Sequence, residues 1–251
     1  MHEYYGSLCT EVYDLSKPLG FSFGDVEYYK ERLKDIQGKV LEVGCGSGRV
    51  LIPLVQAGYL VEGLDNSEEM LESCRSRCNE LGLSPLLYKT EMHNFQLEEK
   101  QYDAIIIPAG SFQLLEGREI AIAALQNIYN HLAVGGRIIL DLFLPNDFDT
   151  KSVSTRTWDN EAGEVLTLEE KRIEVNLLEQ RMVSLLKYEK WKEGRLLQSE
   201  LQRFPLSWYG RYEFELLLEK IGFRQITVSE NYKYGQEPSS SEHMYTFEAI
   251  K

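Results

Sequence analysis

Short apolar runs alternate with amphipathic stretches from Lys39 to about Asp141, the pattern of strand and helix units wound around a parallel sheet. The runs are Val40 to Val43, Leu60 to Leu64, Leu86 to Tyr88, Tyr102 to Ile107 and Arg137 to Leu142. Between them, Val50, Leu51, Leu54 and Val55, then Met70, Leu71, Cys74, Cys78 and Leu81, recur at helical intervals. Asn66-Ser67-Glu68-Glu69 reads as a capped helix start with acidic side chains in the first turn, and Gly58 and Gly82 stand where helices stop.

Past Leu144 the period changes. Pro145-Asn146-Asp147 breaks the alternation, and a charged, β-branched and aromatic stretch from about Ser152 to Phe204 reads as antiparallel strands, with turns at 159–163 and 192–194. A helix over about Tyr209 to Ile221, closed by Gly222, and strands over Phe223 to Val228 and Met244 to Ile250 follow. The expected organisation is a helical, tyrosine-rich lead-in over 1–38, an α/β core over 39–145 and 205–251, and an antiparallel β insertion over 146–204, serving as acceptor site or dimer contact.

Composition narrows the function classes. Lys and Arg number 27 against 40 Asp and Glu, a formal charge of −13 whose field repels phosphate backbones, so no nucleic-acid partner is expected. The start of the chain is polar and acidic, unlike a secretory leader, and the apolar stretch Ile138 to Leu144 is interrupted by Asp141 and too short for a bilayer; a cytoplasmic protein without membrane partner is expected, as monomer or homodimer. Cys9, Cys45, Cys74 and Cys78 form no C-x-x-C array, and His2, His93, His131 and His243 are scattered, so no metal site is expected.

The densest chemistry is Val40-Leu41-Glu42-Val43-Gly44-Cys45-Gly46-Ser47-Gly48-Arg49. Glycines between a strand and a helix let the main chain approach a nucleotide-like ligand and offer free N–H groups. Asp65, at the end of the next strand, is placed to accept both hydroxyls of a ribose. A triphosphate loop needs a lysine after the last glycine, and none follows Gly48. The dinucleotide fingerprint wants glycine or alanine at position 49, where Arg49 obstructs a pyrophosphate, and the carboxylate of Glu42 repels phosphate.

These residues resemble the class I S-adenosylmethionine-dependent methyltransferases, whose first motif, acidic-x-G-x-G-x-G, is matched by Glu42 to Gly48. Gly63-Leu64-Asp65-Asn66-Ser67-Glu68-Glu69-Met70-Leu71 looks like the second motif, Thr90-Glu91-Met92-His93-Asn94-Phe95 like the third with Glu91 in place of aspartate, and Leu132-Ala133-Val134-Gly135-Gly136-Arg137 like the turn before the fifth strand. Leu216 to Phe223 resembles the approach to strand six. The resemblance implies a Rossmann-like, seven-stranded, mostly parallel sheet flanked by helices, with the β insertion after strand five. It implies S-adenosylmethionine as cofactor, with Tyr13, Glu42, Gly44, Cys45, Gly46, Gly48, Asp65, Asn66, Met70, Glu91, Met92, Ile107 and Pro108 around it. Tyr13-Asp14 near the start resembles small-molecule members that close a lid over the site, a role open also to Tyr4, Tyr5, Phe21, Phe23, Tyr28 and Tyr29, whose alternative is plain helix packing.

The implied reaction moves a methyl group to nitrogen or oxygen of a small molecule, and alignment with desolvation carries much of the rate, so no acid or base need be visible. His93 and Tyr5 are the weak catalytic candidates; Ser111, Phe112 and Gln113, after strand four, are the acceptor candidates, with loop packing as their alternative. This loop lacks the [DNS]-P-P-[YFW] tetrapeptide of nucleic-acid and glutamine amino-methyltransferases, and no cysteine follows a proline, as cytosine C5 enzymes require. Trp158, Trp191, Trp208, Tyr188 and Tyr209, in or near the insertion, line the acceptor pocket or a dimer face. A nicotinamide-dependent oxidoreductase and a non-catalytic S-adenosylmethionine-binding module are the rival functions.

Overall fold

A computed structural model describes residues 5–97 and 101–251; Tyr4 and His2 lie outside the described residues. The chain opens with helices α1 (Ser7–Ser16) and α2 (Asp25–Leu33). There follow β1 (Val40–Val43), α3 (Leu51–Gln56), β2 (Val61–Asp65), α4 (Glu68–Glu80), β3 (Leu87–Lys89) and β4 (Tyr102–Ile107). Two tight 3-10 turns over Pro108–Leu114 lead to α5 (Arg118–His131) and β5 (Leu132–Phe143). Strands β6 (Val153–Asp159), β7 (Val165–Asn176), β8 (Arg181–Lys192) and β9 (Arg195–Ser207) come next, then α6 (Arg211–Ile221), β10 (Arg224–Glu230) and β11 (Met244–Ile250).

The seven strands of the main sheet run in the order β10-β11-β5-β4-β1-β2-β3. β11 alone runs against its neighbours, β5 and β10, and the remaining pairs are parallel. The central parallel strands β1, β2 and β4 are buried on both faces, which is why they read as mostly apolar runs. The period of two then sorts the side chains of β1: Leu41 and Val43 pack with α5 and α6, whereas Val40 packs with α2, α3 and α4. Helix α4 starts where the cap pattern predicts, with Ser67 Oγ accepting the Met70 N–H at 3.1 Å; such a cap contributes about 1 kcal/mol. Its buried stripe of Met70, Leu71, Cys74 and Cys78 has the expected helical spacing.

The second sheet is antiparallel, in the order β6-β7-β8-β9. Its hairpins turn at Asn160–Gly163 and at Glu193–Gly194, as the sequence signals, and at a third turn over 177–180 that carries neither glycine nor proline. There Asn176 Oδ1 accepts the N–H groups of Leu178 and Glu179, both at 3.1 Å, supplying the turn that composition does not advertise.

Helix α1 lies between the two sheets. Its Leu8, Cys9 and Val12 pack on Leu166, Leu168, Leu186 and Tyr188 of the second sheet, and Cys9 Sγ meets the Tyr188 hydroxyl at 3.1 Å. Its opposite side is tied to α4, where Ser67 Oγ donates to the Tyr5 carbonyl at 2.8 Å and Arg77 pairs with Asp14 at 2.8 Å. The tyrosines of α2 do otherwise: Tyr28 and Tyr29 are buried against the core and take the packing role rather than the lid. No helix among the described residues is long and apolar enough to cross a membrane.

Candidate functional site

The glycine turn is built by backbone that other residues cannot follow easily. Gly44, Gly46 and Gly48 have φ of +75°, +52° and +87°. A Cβ on Gly44 would stand 2.9 Å from that of Ser111, so the loop after β4 closes against the turn only because the side chain is missing. Asp65 holds the turn from the next strand: one carboxylate oxygen accepts the Gly46 N–H at 2.8 Å and the other accepts the Ser67 N–H at 2.9 Å. Burial pushes this carboxyl above its ordinary range, and the backbone donors of Ser67, Gly46 and Asn66 offset part of that rise.

Above the turn, at the carboxyl ends of β1, β2 and β4, lies a cavity of about 310 Å³, within the roughly 300 to 1,000 Å³ usual for small-molecule sites. It gathers Tyr5, Tyr13, Gly44, Gly46, Asp65, Asn66, Met70, Glu91, Met92, His93 and Ser111 from the residues singled out in the sequence. Asn66 Nδ2 reaches Glu91 at 3.4 Å, and the Nδ1 atom of His93 is buried without a hydrogen-bond partner. Leu114, Leu115, Glu116 and Ile120 complete the wall. No Lys or Arg lines it among the described residues, while Asp65, Glu91 and Glu116 do.

Several sequence candidates stand elsewhere. Glu42 lies on the β1 face turned toward α2 and α3, 2% exposed, with Oε2 unpartnered. Burial drives its carboxyl well above the ordinary range, with nearby Arg49 pulling the other way, and it does not line the cavity as the sequence reading supposed. Cys45 packs with the α3 and α4 side, and Gly48 is pressed against Cys74 and Ile52; both shape the turn from behind. Ile107 belongs to the core, and Pro108 is buried at the start of the 3-10 turns. Phe112 is fully buried against Tyr209 and Phe214, which removes it from the acceptor side. Gln113 is likewise no acceptor contact: its Nε2 donates to the carbonyls of Phe143 and Ser207, both at 2.9 Å, and its Oε1 accepts the Phe143 N–H at 2.8 Å, pinning this segment to β5 and β9.

Tyr5, Tyr13, Ser111 and Leu114 also line a second cavity of about 290 Å³, enclosed by α1 and the second sheet. Trp158 and Tyr188 reach it, but Trp191, Trp208 and Tyr209 do not. Its cations, Lys17, Arg49 and Arg156, escaped the sequence reading as site residues because they come from three distant segments. Arg49, read there as an obstruction, is instead drawn away into a buried ion pair, with Nη2 2.5 Å from the Asp25 carboxylate. Burial alone would raise the Asp25 carboxyl, yet the hydrogen bonds and charge of Arg49 outweigh it and leave that carboxyl below its ordinary range. Burial similarly drives the Tyr5 phenol well above its ordinary range, so this candidate base keeps its proton.

Residues 40–136 match a family model described as a methyltransferase domain. Putative methyltransferase YqeM of Bacillus subtilis is 27% identical over 107 residues, 42% of this chain and 42% of that protein. The chain spans less than half the length of the first curated relatives it matches. Among solved structures, an S-adenosylmethionine-dependent methyltransferase from Clostridium acetobutylicum superposes with a TM-score of 0.77 at 15% identity, covering 96% of each chain. The sugar N-methyltransferase KedS8 from Streptoalloteichus does so at 0.75 and 18% identity, over 98% of this chain and 95% of that one.

Proposed function

The chain carries a methyltransferase domain on the class I methyltransferase fold, and from that premise we propose that it moves a methyl group from S-adenosylmethionine to nitrogen or oxygen of a small molecule. One observation carries the reading: beside the glycine turn the described lining of the cavity offers the carboxylates of Asp65 and Glu91 and no Lys or Arg, while Glu116 farther along is matched by Arg181 and Arg203, each at 2.7 Å. A dinucleotide would set its pyrophosphate into that negative field, whereas a sulfonium nucleoside is attracted by it.

Bound there, the cofactor supplies an activated carbon and its own leaving group. Asp65 would accept the ribose hydroxyls, held in place by the N–H groups of Gly46 and Ser67 that donate to it. Asn66, Met70 and Met92, which line the cavity, would flank the nucleoside, and Glu91 would accept from its amino group. The remaining wall of the cavity would take the amino-acid tail, since the N–H groups of Gly44, Cys45, Gly46 and Gly48 are already bonded within the fold. Tyr5 and Tyr13, lining both cavities, face the boundary across which the methyl passes, and α1 acts as the lid that excludes water. The second cavity receives the acceptor. His93, with an unpartnered ring nitrogen, is the group available to take a proton on the cofactor side.

Calorimetry tests the reading directly. S-adenosylhomocysteine is expected to bind at micromolar strength or tighter and NADH not to bind; the reverse result sinks it. A labelled-methyl assay over a metabolite panel distinguishes an enzyme from a binding module, since silence throughout, despite tight cofactor binding, favours the module. The N-methyltransferase neighbour makes amino sugars the first members of the panel.

A further inference from the structure

The second cavity carries charges that its own walls do not fully match. Of its cations, Arg49 is committed to Asp25 and Arg156 lies 3.6 Å from Glu170, which also accepts the Ser184 hydroxyl at 3.1 Å. Lys17 is different. It stands just past the end of α1, half-buried, with Nζ 4.1 Å above the Tyr13 ring, and it forms no ion pair with any described carboxylate. Its neighbours make matters worse: burial brings the ammonium down to about 8, and the like charges of Arg49 and Arg156 push in the same direction. A chain with 40 acidic residues against 27 basic ones therefore keeps an uncompensated cation inside a cavity. An ammonium held in partly desolvated surroundings without an anion is unfavourable, and an incoming oxyanion relieves that cost.

We propose that Lys17, assisted by Arg156, binds an oxyanion of the methyl acceptor, so that the acceptor is a small amine or alcohol bearing a carboxylate or a phosphate. The inference rests on the assignment of the second cavity as the acceptor chamber. Local charge at the chamber thus opposes the acidic sign of the whole chain. Arg156 arrives from β6 and Lys17 from the end of α1, so the two grip an anion from different walls. The apolar lining of Leu168, Leu186, Phe204 and Leu206 holds the remainder of the molecule away from water. Lys17 and Arg156 act here as specificity-determining residues and leave the displacement itself to the boundary between the two cavities.

The test is the reactivity of Lys17 toward a neutral succinimidyl ester in the full chain saturated with S-adenosylhomocysteine, read by peptide mass spectrometry. Inorganic phosphate and acetate serve as separate probes, each at about 20 mM and constant ionic strength, with tetramethylammonium chloride as the cationic control. One of the two anions is expected to slow Lys17 labelling about fivefold, the occupancy of a site with a dissociation constant of about 5 mM. The exposed Lys34 and Lys220 serve as internal references and are expected to be unaffected. The more protective anion identifies the acceptor's charged group, and Arg156→Gln is expected to remove most of the protection. Absence of protection by either anion, protection by tetramethylammonium, or equal slowing at Lys34 and Lys220 overturns the proposal. Calorimetry with S-adenosylhomocysteine on the same sample keeps the two readings apart: failure there removes the methyltransferase assignment, while the labelling result still reports on the chamber.

Discussion

The two cavities share α1 and the loop after β4 but are built on opposite electrostatic terms. The first is framed by strand ends and glycine backbone, carries Asp65 and Glu91 with Glu116 matched by Arg181 and Arg203, and has no described Lys or Arg in its lining. The second is framed by side chains of α1 and the antiparallel sheet and carries Lys17, Arg49 and Arg156 against Glu170. The proposed reading puts a cationic cofactor in one and the anionic group of the acceptor in the other. The parallel core fixes the first through main-chain geometry that few substitutions can retain, whereas the second is set by side chains that can be exchanged without disturbing the sheet that carries them.

The largest expected effect breaks the most deeply buried ion pair of the second cavity. Asp25→Ala leaves Arg49 buried without its carboxylate and is expected to cost about 3 to 5 kcal/mol of unfolding free energy in urea titrations. A loss below about 1 kcal/mol would show that solvent already reaches this pair. Next, Asp65→Ala is expected to weaken S-adenosylhomocysteine about 100-fold, near 3 kcal/mol, since it removes a charged acceptor and releases the Gly46 N–H. Calorimetric affinity within about threefold of the parent refutes the ribose role.

Asp141 supplies the third test, beneath the loop both cavities share. Its carboxylate accepts the Ala109 N–H at 2.9 Å and the Thr246 hydroxyl at 2.7 Å, yet burial pushes the carboxyl up from 3.8 to about 6. Because the folded value lies above the unfolded one, the folded state binds more protons between them. Stability from this group is therefore full below about pH 4 and is lost as pH rises through about 6. Asp141→Asn keeps the acceptor for Ala109 and removes the titration. Relative to the parent, its stability is expected to improve by about 2 kcal/mol between pH 4 and pH 7.5 in urea unfolding. An unchanged difference between parent and variant across that range would exclude a raised carboxyl. The smallest effect sharpens the division itself: Lys17→Met is expected to alter S-adenosylhomocysteine affinity by less than about threefold, under 0.7 kcal/mol, and a tenfold change would merge the two sites electrostatically.

The main sheet was legible because buried parallel strands and amphipathic helices have different periods, and because Gly44, Gly46 and Gly48 sit at positive φ where glycine is favoured. Ser67 announced its cap, and Asp65 its place beside the turn, through local spacing. Side-chain destinations were harder. The fate of Arg49 depends on Asp25, which a single sequence does not link to it, and the face taken by Glu42 depends on what packs beneath β1. Phe112 and Gln113 occupy the right segment, but the two kinked 3-10 turns, with Ala109 at φ +54°, direct them into the core and onto β5 and β9. The second cavity was least legible, since Lys17, Arg156 and Tyr188 meet only after the insertion folds over α1. The third hairpin turn was missed because its organising signal is the Asn176 side chain rather than a glycine.

Helix α1, tied to Ser67 and Arg77 on one side and to Tyr188 on the other, is a partition held by both halves of the molecule. If it must swing aside for either ligand to leave, a ligand that binds the closed partition more tightly than the open one will slow escape from the other compartment, and the two affinities will be reciprocally linked. Catalytic throughput would then follow the partition's opening rate rather than bond-making, giving turnover that declines with solvent viscosity and product-inhibition patterns of a compulsory order.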